Sequence, residues 1–215
     1  MTNIQRGQLH CPTSGTIEWA RLKTKSPRGL IFIPPLIGGN FAQQIRLFRW
    51  FAQKNLDLFS FNYSGHGNSS DKFSLRASIQ NTLFVLDHAR RICEKSRIPL
   101  FGIASCYSSI PLLYASYRLS EPFSGLVLIN PLIHLSPWAV LKSFAGYYRG
   151  FAGFRLSGKR PGRALKKYAD YLFPEVVKSA DMFGILHRKR TRLWQVLIDF
   201  FIFAPLKGII LPQTR

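Results

Sequence analysis

The apolar run Pro99-Leu-Phe-Gly-Ile-Ala-Ser-Cys-Tyr-Ser-Ser109 breaks at small residues around one nucleophile, Cys106. A strand that turns sharply into a helix, with a reactive residue on the turn, needs small side chains two positions before and two after it. There the helix packs directly against the strand. Ala104 and Ser108 meet that demand. Centring the pattern on Ser105 would place Ile103 and Tyr107 at those positions, so Cys106 is the better candidate. Small-x-Cys-x-small is a common pattern, and a Cys is often only a small buried hydrophobe. The surrounding chain narrows the reading.

Punctuation and periodicity predict an antiparallel hairpin first, with Gln5 to Cys11 and Thr16 to Lys23 flanking Pro12-Thr-Ser-Gly15. Strands are expected near Leu30 to Pro34, Asp57 to Asn62, Leu100 to Ala104 and Gly125 to Asn130. Helices are expected at Phe41 to Gln53, Leu75 to Lys95 and Tyr107 to Arg118. Strands alternating with helices imply an α/β fold, a mostly parallel sheet with helices on both faces. At 215 residues and 47% apolar content, the chain can bury one substantial core.

The order of motifs is distinctive. A buried strand opens into the glycine-containing loop Pro34-Pro-Leu-Ile-Gly-Gly39. A second strand runs into Gly65-His-Gly-Asn-Ser69, and the third ends at the Cys106 turn. Together these resemble the front half of an α/β hydrolase, over roughly residues 5 to 131. The glycine-free Ala-Ser-Cys-Tyr-Ser turn looks most like the acyltransferase and thioesterase branch related to bioluminescence myristoyl-acyl-carrier-protein thioesterases. Those relatives carry Ser at the turn, so Cys106 departs from them. The resemblance implies a hydrolase core over 1–134 and a basic, aromatic-rich helical cap over 135–203. The first residues of a further strand would lie in 204–215. In this fold a strand bearing the catalytic acid and a loop bearing the catalytic His follow the cap. Lys207-Gly-Ile-Ile-Leu211 reads as the opening of that strand and Arg215 is the last residue, so a triad of the usual kind is not expected within these residues. A sheet edge left open there is a place for a second chain to pair.

Charge bears on partners. The net charge is +20, and between Leu135 and Phe200 thirteen Lys and Arg face four Asp and Glu. Such a field attracts polyanions. An acidic acyl carrier protein, an anionic membrane surface and nucleic acid compete for that role, beside the plain alternative of a solvated basic face. Aromatics interleaved with the basic residues, among them Tyr147, Phe151, Tyr168 and Trp194, favour amphipathic helices on a lipid-like ligand. No helix-turn-helix, zinc-finger or RNA-recognition signature is present in the sequence. The longest apolar stretch, Leu193 to Leu211, holds Asp199, Pro205 and Lys207, which argue against a membrane span. The first residues lack the apolar core of an export signal, and three irregularly spaced cysteines fit a reducing, cytoplasmic setting. No motif for a metal or cofactor is found.

Chemistry is assigned residue by residue. In the functional reading Cys106 attacks an acyl carbonyl, at a helix N-terminus whose partial positive charge favours anions. The oxyanion hole would be formed by the backbone N–H of Tyr107 with that of Leu36 or Ile37; Pro35 has none. His134, just past the strand ending at Asn130, is the sharper candidate for a base, because that edge faces the crevice where ligands gather in open α/β sheets. His66 is expected to serve mainly as part of a structural turn, and His10, His88 and His187 to lie at the surface. Two functions remain: an acyl-transfer enzyme (thioesterase, acyltransferase or related hydrolase), and a non-catalytic hydrolase-fold protein that binds a lipid, carrier or membrane through the same crevice and basic surface.

Overall fold

A computed structural model describes residues 3–36, 39–120 and 123–131. The expected cap at 135–203, the segment 204–215 and His134 lie outside the described residues.

Among the described residues six strands form one sheet: β1 (Asn3–Cys11), β2 (Gly15–Lys23), β3 (Gly29–Phe32), β4 (Leu56–Phe61), β5 (Leu100–Cys106) and β6 (Gly125–Pro131). Their order is β1-β2-β4-β3-β5-β6. The β1–β2 hairpin joins β4 antiparallel, whereas β4, β3, β5 and β6 run parallel. The helices among the described residues are α1 (Phe41–Leu47), α2 (Leu75–Ser96) and α3 (Ser109–Arg118), with a 3-10 helix at Arg49–Lys54.

Period-two alternation assigns each strand two faces. Trp19, Leu30, Phe32, Phe59 and Phe61 point to one side, where Val85, Leu86 and Ala89 of α2 and Ile110, Leu112 and Ala115 of α3 cover them. Ala20, Leu22, Ile31, Ile33 and Leu58 point to the other, under Phe41, Ile45, Phe48 and Ala52. Strands buried on both faces read as continuous apolar runs, as Leu30-Ile-Phe-Ile33 does.

Two buried polar clusters fix the hairpin to the parallel strands. Asp57, with no exposed surface, accepts from Arg21 Nε at 2.8 Å and from both the backbone N–H and hydroxyl of Thr24 at 2.8 Å. At the opposite sheet edge, Asn62 accepts the first helical N–H of α1, from Phe41, at 2.9 Å and donates to Glu18 at 2.7 Å.

Three local expectations are corrected. The helix expected at Phe41 to Gln53 breaks at Phe48, where the chain tightens into the 3-10 turn and then reverses through left-handed Asn55. Strand β5 continues to Cys106 instead of ending at Ala104, and α3 starts at Ser109 rather than Tyr107. The intervening residues form the sharp turn itself.

Candidate active site

The turn between β5 and α3 is built from Ser105, Cys106, Tyr107 and Ser108. Cys106 sits there with φ of 50°, in the left-handed region that a β-carbon disfavours. Such a conformation at a non-Gly residue persists only where its surroundings enforce it. Here Ser108 supplies the enforcement. Its hydroxyl donates to the Ser105 carbonyl at 2.8 Å and accepts the Ser105 N–H at 3.0 Å, while its own N–H bonds the same carbonyl at 3.1 Å. Ala104 and Ser108, the two positions expected to be small, are both buried. Tyr107 anchors the turn from the other side, its phenol 2.6 Å from the hydroxyl of Ser78 in α2.

The result is selective exposure. Cys106 is exposed, whereas Cys11 and Cys93 are buried. Burial pushes the Cys93 thiol up to about 11, which fits an inert core side chain. Burial also pushes the Cys11 thiol up, but hydrogen bonds from Ser14 and Thr13 outweigh it and hold the thiol below its ordinary value. Cys11 is only 2% accessible, so a substrate has no route to it.

Leu36 lies at the same edge because it follows β3, which runs parallel to β5. Phe32 of β3 lies level with Gly102 of the parallel β5, and Leu36 and Cys106 each follow four residues later. The Leu36 carbonyl accepts the Gly39 N–H at 2.9 Å. A β-carbon on Gly39 would stand 3.0 Å from the Gln43 amide oxygen and 3.4 Å from Leu36 N, so a bare glycine keeps this backbone uncrowded.

The Gly65–Ser69 loop is structural. Asn68 donates through its backbone and side chain to Glu18, and the Ser69 hydroxyl donates to the Asn62 carbonyl at 2.8 Å. Gly67 has φ of 52°, and a β-carbon there would collide with the Asn62 amide. His66 is 4% exposed, edge-on to Tyr63 and Phe73, with Nδ1 3.2 Å from the Ser64 carbonyl. That contact places the proton of the neutral ring on Nδ1, and burial holds the imidazole below its ordinary value. His88 departs from the surface role expected for it. It is half-buried against Trp19 and Phe59, and burial lowers it too.

Sequence reasoning missed Asn130. Ser105 pairs with Ile129 but Cys106 pairs with Pro131, so Asn130 is the extra residue of a bulge beside the candidate nucleophile. Its φ is 44°. Asn tolerates that region better than most residues, and an Asn-Pro ending a strand was the available signal.

The fold is similar to that of solved structures of low sequence identity. An α/β hydrolase, GrgF from Penicillium sp. sh18, superposes with a TM-score of 0.53 at 13% identity, over 74% of this chain and 57% of its own. The fold is that of the α/β hydrolases. An esterase from Pyrobaculum calidifontis gives a TM-score of 0.51 at 10% identity, over 62% of this chain and 46% of its own. A putative α/β hydrolase from Agrobacterium tumefaciens gives 0.50 at 19% identity, over 59% and 60%. The chain spans about half the length of such α/β-hydrolase structures, 44% in the case of a lipase in its open form. No protein-family model and no curated protein matches the sequence. Among the described residues no helix is long and apolar enough to cross a membrane.

Proposed function

We propose that this α/β-hydrolase-fold protein carries out acyl transfer, as a thioesterase or acyltransferase, with Cys106 as its nucleophile. The observation that carries the reading is the conformation of Cys106, an exposed thiol held at positive φ where a parallel strand turns into a helix. Strain retained at one reactive side chain points to a task for that side chain.

In the proposed reaction the Cys106 sulfur attacks the carbonyl of an acyl thioester as its proton passes to a base, for which His134 is the candidate. Negative charge develops on the carbonyl oxygen, and the N–H groups of Leu36 and Tyr107 are the candidate donors to it. Collapse of the tetrahedral intermediate breaks the substrate carbon–sulfur bond. The leaving thiolate takes the proton from the base, and the acyl group remains on Cys106. Attack by water or an alcohol then frees the enzyme. An acyl carrier protein suits the basic surface as donor, by charge complementarity.

Steady-state turnover of short-, medium- and long-chain acyl N-acetylcysteamine thioesters tests the proposal. Cys106→Ala should abolish turnover with the circular dichroism spectrum unchanged. Turnover retained in that variant would remove Cys106 as the nucleophile.

A further inference from the structure

Residues 19–56 contain seven Lys and Arg and not one Asp or Glu. Of the two acids that bracket this stretch, Asp57 is consumed by the buried pair with Arg21, at 2.6 Å, and Glu18 is held by Asn62 and Asn68. The other six cations of the stretch, Lys23, Lys25, Arg28, Arg46, Arg49 and Lys54, are all exposed.

They are not scattered. Along α1 and the following 3-10 helix the exposed positions recur nearly every turn, as Arg46-Leu47, Arg49-Trp50 and Gln53-Lys54. The buried positions Ile45, Phe48 and Ala52 face the sheet. Leu47 is 52% exposed and Trp50 is 53% exposed, so two large apolar side chains stand outward, each beside a cation. Trp50 is braced from behind by Phe51, their ring centroids 3.7 Å apart. The Arg28 N–H bonds the Asn55 carbonyl at 2.7 Å, which brings the Lys23–Arg28 loop alongside the end of the 3-10 helix.

A helix with cations flanking outward Trp and Leu has the composition of an interfacial element, in which the apolar groups enter the headgroup boundary and the cations meet anionic lipid. We infer that the α1 face is a docking surface for an anionic membrane, with Trp50 and Leu47 as its apolar anchors and Arg46, Arg49 and Lys54 as its charge contacts. A soluble acidic partner would account for the cations but not for the paired outward Trp and Leu. The surface does not involve Cys106, so this inference stands or falls apart from the proposed chemistry.

Co-sedimentation of the 215-residue chain with phosphatidylcholine vesicles, with and without phosphatidylserine, tests it. Binding is expected only with phosphatidylserine and should fall at high salt. The triple variant Arg46→Gln/Arg49→Gln/Lys54→Gln should bind on the order of 100-fold more weakly. Leu47→Ser/Trp50→Ser should lose roughly tenfold through the missing apolar contact. Both variants change exposed positions, and an unchanged thermal midpoint verifies the fold. Brominated lipid should quench more tryptophan emission in the parent than in Trp50→Phe. Vesicle binding that survives both multiple variants would place the contact elsewhere and overturn the inference. So would binding to heparin or single-stranded DNA with none to phosphatidylserine vesicles.

Discussion

Cys106 occupies a backbone conformation that costs an L-residue roughly 1–2 kcal/mol, and glycine alone escapes that cost. This separates stability from activity at one position. Cys106→Gly should unfold in urea with a stability about 1 kcal/mol above that of Cys106→Ala, although both remove the thiol. Equal stabilities would mean that the turn is not strained in solution. His66 tests the neighbouring loop through pH. Its imidazole, like that of His88, is held below the ordinary 6.5 by burial, so the unfolded chain binds the proton more readily than the folded one. Stability is therefore full above 6.5 and falls as pH drops from there toward the folded-state value. His66→Gln should flatten that part of the profile of thermal midpoint against pH, and an unchanged slope would mean that His66 is solvated.

At the scale of elements, β2 and β4 are joined by more than their ladder. Asp57→Ala would leave the Arg21 guanidinium buried without its carboxylate and Thr24 without its acceptor, and should cost about 3–5 kcal/mol in chemical denaturation. A loss below about 1 kcal/mol would show that water reaches the pair. The elements were largely legible in the sequence because each apolar run alternates with a polar or glycine-rich break. Leu30-Ile-Phe-Ile33 and Leu100-Phe-Gly-Ile103 could be little else than buried strands. What was not legible depends on tertiary contacts. The tightening at Phe48 follows from that ring packing under the sheet, with no Pro or Gly to announce it. The half-burial of His88 comes from Trp19, 69 positions earlier in the chain. At the candidate site, the small residues around Cys106 marked the turn, but the bonds through which Ser108 clamps it and the bulge at Asn130 arise only when β5, β6 and α3 meet.

At the scale of the whole molecule, the parallel strands deliver Leu36, His66 and Cys106 to one edge of the sheet. An α/β-hydrolase sheet thus presents a strained thiol at the edge where ligands gather in such folds. Acyl transfer by that thiol can be read by intact-mass spectrometry after exposure to a panel of acyl N-acetylcysteamine thioesters. One added acyl group is expected on the parent chain, localised to Cys106 by peptide mapping and absent from Cys106→Ala. A folded parent chain that takes up no acyl group at any chain length, or an adduct that persists in Cys106→Ala, would contradict it.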